Sequence, residues 1–338
     1  MKHGSPCHPR QSGLSLIELM IALTIGFMVV AVVGYMYLGS RASFRSQDSL
    51  STIQENARYA LDMMGQNIRM AGYIGCSNLA SIPPGNLVDH TALGPINAGL
   101  QVYPNGAGWA APAGVVRVAG DVLRIYEASG GGVAVLPAST ATSTVIGANP
   151  FAFKNGDVLL VSNCQFADIF TATSNPNAIA HAALVPPYNT GAPAANVYAF
   201  QRIDYFVGCP AASWSGAACS VPVALYQRVN NGQAQALIDN VENLAFRLGV
   251  DTSGTIPPAG IVGVYQTPTT VAAANNWANV LTVQVHLLMV GGPPGANSNV
   301  TVTNQTYNFN NVSYTAAVSD RRLHQEVTAT VAIRNRIP

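Results

Sequence analysis

The sequence predicts an α+β protein in which one long N-terminal helix packs on a β-rich, antiparallel head of two sheets. The helix is indicated by an apolar run over residues 14–38 that continues without a proline as far as residue 82. The head is indicated by stretches of alternating apolar and polar residues that begin after residue 79. Charged residues make up only 9% of the chain, which is too apolar and too aromatic for disorder.

The apolar run contains 25 residues and a single charge, Glu18. About 20 residues suffice to cross a bilayer, and an ionised side chain in hydrocarbon costs a few kcal/mol. Glu18 therefore needs a partner. The residues before the run form a short basic leader, residues 1–13, that ends at Gly13. Cleavage after Gly13 creates an α-amino group on Leu14, four residues before Glu18, and we expect amine and carboxylate to pair within one helix or between helices.

The helix is predicted to continue through residues 39–70 as an amphipathic segment. One face carries apolar residues at spacings of three and four, namely Leu50, Ile53, Ala57, Leu61, Met64 and Ile68. Gly72 and Gly75 supply the predicted end. The remaining residues, 71–338, form the predicted head.

Five segments of the head have the pattern of β-strands, residues 121–126, 157–161, 197–207, 281–290 and 325–333. Between them lie connectors rich in proline, glycine and asparagine, at residues 83–112, 175–196, 253–276 and 291–299. A subdomain border is possible near residues 186–195.

Charge and cysteine content limit the function. Loss of Lys2 and Arg10 with the leader changes the formal net charge from +1 to about −1, so no nucleic-acid-binding surface is predicted. After loss of Cys7, four cysteines remain, an even number typical of disulfides in an oxidising compartment. Of the three connectivities we favour Cys209–Cys219, because the stretch between them is loop-like, and Cys76–Cys164 follows by elimination. A metal site is the rival, but no CxxC spacing supports it.

The glycine, the apolar run and Glu18 closely resemble the type IV prepilin signature. The resemblance implies a prepilin peptidase that cuts between Gly13 and Leu14 and methylates the Leu14 nitrogen. The family usually has phenylalanine where this chain has Leu14. An ordinary signal peptide is the alternative, but its apolar core is shorter and its cleavage site follows that core. Basic residues flank the run almost equally, so its orientation in the membrane depends on the motif.

Residues 69–76, 156–170, 241–249 and 320–335 resemble the PilW family of minor pilins. The resemblance implies a type IV pilin-like fold and a role in priming pilus assembly. The implied partners are other minor pilins, the major pilin, a pilus tip adhesin, the prepilin peptidase and the inner-membrane assembly platform. The implied location is the inner membrane, crossed once with the head in the periplasm, and later the pilus at the cell surface.

No enzyme or cofactor is predicted, because no set of residues forms a recognisable catalytic or metal-binding motif. His286 lies in a predicted strand, and His324-Gln-Glu326 lacks the spacing of a zinc-binding helix. Asp251 begins a faint match to a calcium loop in which most oxygen ligands are absent. Two other functions remain open: a minor pseudopilin of a type II secretion system, and a surface adhesin held by a prepilin anchor.

Overall fold

The computed structural model describes residue 13, residues 15–75, 78–79, 82–83, 85–91, 93, 96, 98–174, 178–184, 188, 194–254, 258–291 and 305–336. The chain divides into two compact units, Met1–Asp48 and Ser49–Pro338. Helix α1, Leu16–Met70, contributes to both units. Its 55 residues correspond to a length of about 82 Å.

In the first unit, α1 is apolar and exposed. The described side chains from Leu16 to Leu38 are all exposed, and none of the other residues that the structure describes covers them. Thr24, one of the few polar residues here, donates its hydroxyl to the carbonyl of Ile21 at 2.9 Å. The helix therefore satisfies its own polar groups and leaves its apolar side chains available.

In the second unit, α1 buries one face. Ile53, Ala57, Ala60, Met64 and Ile68 are almost fully buried, whereas Leu50 and Leu61 of the predicted face are half-buried. The helix ends as predicted at Met70. Gly72 then adopts a positive φ of 78°, and a Cβ there would lie 2.8 Å from the Asn78 side chain, so only glycine fits this turn.

The larger sheet has eight strands, and its main path runs β1-β6-β5-β8-β3-β2. Strand β9 pairs with β8, and β10 pairs with β9. These strands are β1 Leu87–Asp89, β2 Leu100–Tyr103, β3 Val115–Ala134, β5 Val158–Ser162, β6 Ala167–Thr171, β8 Asn196–Pro210, β9 Ala224–Val229 and β10 Gln235–Asp239. Strand β8 pairs with β3 along one edge. Along its other edge, the first half of β8 pairs with β5 and the second half pairs with β9.

The smaller sheet has four strands in the order β12-β11-β13-β16. They are β11 Val241–Asp251, β12 Val262–Gln266, β13 Val280–Gly291 and β16 Leu323–Ala332. Two ribbons complete the described strands, β4 Ser143–Val145 with β7 Ala178–Ala180, and β14 Thr306–Phe309 with β15 Val312–Thr315. A short helix, α2 Pro268–Ala273, is capped by the Thr267 hydroxyl, which accepts from the Thr270 amide.

One large apolar core joins α1 to both sheets. It contains the buried face of α1 and alternate side chains of the four longest strands, including Leu123, Tyr205, Phe246 and Leu287. A second core lies where residues 74–96 and strands β3, β5, β6 and β8 contribute side chains such as Ile74, Leu93 and Phe200. The amphipathic half of α1 is therefore an integral part of the head.

All five predicted strands are present, and β3 and β8 are longer than predicted. The head differs from the prediction in three ways. It has two ribbons besides the two main sheets, its β1–β6 pair is parallel, and three of the predicted connectors, residues 83–112, 175–196 and 253–276, contain short elements. Strands β1, β2, β7 and β12 are three to five residues long, which is too short for alternation to mark them. The proposed border near residues 186–195 lies mostly outside the described residues and stays a prediction.

Candidate functional site

The start of α1 is organised by an N-cap. The Ser15 hydroxyl accepts a hydrogen bond from the Glu18 amide at 3.3 Å, and the Ser15 carbonyl accepts from the Leu19 amide at 3.2 Å. Ser15 is thus the N-cap and Glu18 the third helical residue, where a carboxylate is favoured by the helix dipole. Gly13 is exposed with open space around it. Leu14, the predicted site of methylation, lies outside the described residues.

The apolar half of α1 is, within the described part of the chain, the single segment long and apolar enough to cross a membrane. None of its most apolar 18-residue window is buried. A run of exposed isoleucine, leucine, valine and phenylalanine side chains is unfavourable in water. Moving each such side chain from water into an apolar environment lowers the free energy by about 1.5–3 kcal/mol. This surface therefore requires lipid or other helices around it.

In the head, Cys209 and Cys219 form the disulfide that the sequence favoured. Cys209 is fully buried at the end of β8, where it is paired with Val116 of β3. The loop between the two cysteines is closed further by a turn in which Ser215 and Ala218 exchange hydrogen bonds. Cys164 is also disulfide-bonded. Its predicted partner, Cys76, lies outside the described residues.

A buried ion pair links the neighbouring strands β3 and β8 of the larger sheet. Asp204 on β8 is fully buried and receives two hydrogen bonds from Arg124 on β3, at 2.7 and 2.9 Å, and a third from the indole of Trp109. Burial opposes the charge of Arg124, but the bonds to Asp204 outweigh it and raise the pKa of Arg124. The Tyr103 ring lies 5.0 Å from the guanidinium carbon. Each group has its partner, so this network serves the fold.

A different buried carboxylate, Glu127, is only partly satisfied. It lies on β3, and its Oε1 accepts a hydrogen bond of 2.9 Å from Gln201 on β8, whereas its buried Oε2 has no hydrogen-bond partner among the described residues. Burial raises the pKa of Glu127 to about 7. The neighbouring backbone is bonded to the chain leaving α1: Gly72 donates to the carbonyl of Tyr126, and Ala128 donates to that of Tyr73.

A cluster of ionisable side chains lies on the smaller sheet. His324 on β16 places its Nε2 3.0 Å from Oε2 of Glu242 on β11 and 3.6 Å from Oδ2 of Asp320. Arg322 contacts the same carboxylates from the other side, at 3.0 Å from Glu242 Oε1 and 2.6 Å from Asp320 Oδ2. Burial opposes ionisation of Glu242, but bonds from His324 and the charge of Arg322 lower its pKa.

Two residues singled out in the sequence have local roles. His286 is buried, and its Nδ1 lies 2.6 Å from Oε1 of Glu326. Asp251 uses one carboxylate oxygen to accept from the Ser253 amide at 2.7 Å and the other to accept from the Gly260 amide at 3.0 Å. The bonds from Ser253 lower the pKa of Asp251. The calcium-loop match at Asp251 therefore coincides with a carboxylate that closes a loop of the protein.

Comparison with protein families gives two matches. The model of the prokaryotic N-terminal methylation motif matches residues 8–34, and that of type IV pilus-assembly protein W (PilW) matches residues 205–335. Over these residues the chain is similar to PilW-like type IV pilins. No curated protein and no solved structure matches it. The two matches support a minor pilin related to type IV pili, anchored in the membrane by a single span and interacting with other pilus components.

Sequence analysis missed some of these residues although a sequence signal was present, and missed others that had no signal. Ser15 had a signal, since Ser-x-x-Glu before an apolar run is typical of a capping box. Glu127 also had a signal, because alternate residues of a strand point to the same face of the sheet, and Leu123 and Ile125 on that face of β3 are buried. The cluster of Glu242, Asp320 and His324 had none, because its first member is separated from the others by nearly eighty residues of sequence.

Proposed function

We propose that this minor pilin primes type IV pilus assembly at the inner membrane and presents its head near the pilus tip. The observation that carries the proposal is the pairing of a methylation-motif match with an exposed apolar helix, followed by a head whose C-terminal part matches PilW. We expect it to act with other minor pilins, a tip adhesin and the major pilin, on the assembly platform. Its head would face the periplasm first and the cell surface after assembly.

The proposed mechanism is structural rather than catalytic. The prepilin peptidase cuts after Gly13, and the new amine of Leu14 is methylated while keeping its positive charge. Glu18 then neutralises that amine, in the same helix or in a neighbouring one. Because both charges lie at membrane depth, neutralisation lowers the cost of keeping them out of water. The exposed apolar side chains of α1 supply the packing surface in the filament.

The Ser15-x-x-Glu18 pattern of a capping box offers a second explanation for the presence of Glu18. Matched variants distinguish helix capping from charge pairing. Glutamine serves at the third position of a capping box almost as well as glutamate but carries no charge. If charge pairing drives assembly, Glu18→Gln and Glu18→Ala should reduce incorporation into sheared pili to a similar extent. Ser15→Ala, which removes the cap and keeps the charge, should incorporate nearly normally. Membrane levels of all three should match the parent.

Incorporation of Glu18→Gln at the parental level would contradict the pairing mechanism. The same preparations test processing, because N-terminal sequencing and mass spectrometry of the incorporated chain should give methylated Leu14 as the first residue. Partners are tested by cross-linking in whole cells followed by capture of the chain. Recovery of other minor pilins and an adhesin is expected. Recovery of secretion-system components instead would favour the pseudopilin alternative.

A further inference from the structure

We propose that Glu242, Asp320 and His324 form a binding site for a divalent transition-metal cation, with Zn²⁺ the best fit. The three side chains offer one imidazole nitrogen and two carboxylate oxygens that all lie within 4.8 Å of one another. An imidazole with carboxylates suits Zn²⁺, whereas Ca²⁺ and Mg²⁺ favour oxygen ligands alone. The site is independent of the proposed role in pilus assembly.

Two of the three distances between ligand atoms fit a tetrahedral cation. Zn²⁺ binds nitrogen and oxygen ligands at about 2.0–2.2 Å, which places neighbouring ligand atoms about 3.3 Å apart in a tetrahedron. The His324 Nε2 lies 3.0 Å from Oε2 of Glu242 and 3.6 Å from Oδ2 of Asp320, on either side of that value. The third pair, the two carboxylate oxygens, lies within 4.8 Å, so a cation can be held by all three atoms after a small movement of the side chains.

Arg322 does not occupy this position. It holds Oε1 of Glu242, the oxygen turned away from His324, and it binds Oδ1 of Asp320 at 2.9 Å through its Nε. Arg322 also contacts Asp320 Oδ2, which it shares with His324. Arg322 thus orients both carboxylates. With neutral His324, these four side chains carry a net charge of −1, which favours a cation.

Burial and access also suit a bound metal. The His324 side chain is 3% exposed and its ring is stacked on Tyr307 at 4.6 Å, so the imidazole is held in place. The side chains of Glu242 and Asp320 are 34% and 21% exposed, which leaves a path from solvent and room for a water as fourth ligand. The Nδ1 of His324 has no hydrogen-bond partner among the described residues. Metal-binding histidines usually have one there, and its loss weakens binding about 10–100-fold, so we expect micromolar rather than nanomolar affinity.

The test is a titration of the full-length protein in detergent, produced without a polyhistidine tag and stripped with chelator, with ZnCl₂, CaCl₂ and MgCl₂. We expect one Zn²⁺ that is lost in His324→Ala and weakened at least about tenfold in Glu242→Gln and Asp320→Asn. The matched control is Glu326→Gln, the same substitution beside the other histidine–glutamate pair, which has a single carboxylate. It should leave Zn²⁺ binding unchanged.

Two further readouts keep the test sharp. Because His3, Cys7 and His8 of the leader are also potential ligands, the expected result is the difference between each variant and the parent. Zn²⁺ should raise the unfolding midpoint of the parent and of Glu326→Gln, but not that of Glu242→Gln. The spectrum of bound Co²⁺ should show tetrahedral nitrogen and oxygen ligation. Equal binding by parent and Glu242→Gln, no binding at 100 μM, or preference for Ca²⁺ would overturn the proposal.

Discussion

At the scale of single residues, the environment of Glu127 opposes the charge of its carboxylate. It is 4% exposed, and one of its two oxygens has no partner among the described residues. It also lies beside the chain that leaves α1, and a helix C-terminus carries partial negative charge. The folded protein therefore favours the protonated form of Glu127, and stability becomes linked to pH.

The sign of the linkage follows from the raised pKa of Glu127. The value is about 7 in the folded protein and 4.5 for a free glutamate, so the folded state binds the proton more tightly. Its contribution to stability is greatest below pH 4.5 and decreases by about 3 kcal/mol as the pH rises to about 7. Glu127→Gln should remove this dependence and unfold at higher denaturant concentration than the parent at pH 8.

The measurement is denaturant unfolding of parent and variant at several pH values between 4 and 8. Glu55→Gln is the control, because Glu55 is exposed on the polar face of α1 and its loss should leave the pH profile unchanged. Parallel profiles for parent and Glu127→Gln would show that folding does not raise the pKa of Glu127.

At the scale of elements, helix and strand prediction succeeded where the pattern was long. The buried face of α1 and strands such as β8 and β13 have enough residues for their periodicity to be unambiguous. Sheet order was beyond prediction, since the partner of β8 changes from β5 to β9 at its middle and no local pattern records this. The parallel β1–β6 pair was missed for the same reason, because β1 has only three residues.

The helix and the larger sheet are held in register by one tyrosine. Tyr205 on β8 is fully buried, and its hydroxyl accepts hydrogen bonds from Asn67 of α1 at 2.7 Å and Gln227 of β9 at 2.9 Å. Burial raises the pKa of Tyr205, so the hydroxyl stays protonated. This contact joins three elements that apolar packing alone would align less specifically.

The Cys209–Cys219 disulfide at the end of β8 should stabilise the head by reducing the conformational entropy of the unfolded chain. Closing a loop with a sequence separation of 10 removes chain entropy worth about 3 kcal/mol. Cys209→Ala, Cys219→Ala and the double variant should therefore lose similar amounts of stability in denaturant unfolding, since each breaks the same bond. Ser215→Ala, in the same loop, should cost much less.

A contrary result would be a double variant as stable as the parent. Peptide mapping of the intact protein should also identify the partner of Cys164, for which Cys76 is the prediction. If Cys164 were instead bonded to Cys209 or Cys219, both disulfides would differ from those given above, because each cysteine forms only one disulfide bond.

At the scale of the whole molecule, the sequence predicted the fold class and the membrane anchor but not how the head is completed. The prediction placed the amphipathic half of α1 on a sheet. The structure goes further, because Ile53, Met64 and Ile68 lie in one core with side chains from both sheets. The head therefore extends upstream of residue 71 and includes the second half of the helix.

Two fragments test this boundary. A fragment that starts at Ser46, just before the head unit, should be exported and folded as a soluble protein. A fragment that starts at Ala71 loses three large buried side chains, worth roughly 5–9 kcal/mol together, which is comparable to the whole stability of a domain. It should expose the core and aggregate. Size-exclusion chromatography and thermal unfolding distinguish the two outcomes.

A point substitution controls for the length of the fragment. In the fragment from Ser46, Met64→Ala should cost about 2–5 kcal/mol, whereas Tyr59→Ala, on the exposed face, should be nearly neutral. Equal solubility and stability of the two fragments would mean that the sheets close without the helix.

The composition of the main core also limits when the head can complete its fold. Its members run from Ile53, in the first helix, to Ile333, just beyond β16. Strand β13 has β11 on one side and β16 on the other, so the smaller sheet is incomplete until residues 323–332 are free to pair. Contacts between such distant residues form slowly, because a long loop must close first. In the export that we propose, the apolar face of α1 would stay without its partners until the last strand arrives, and this interval is when a chaperone would have most to protect.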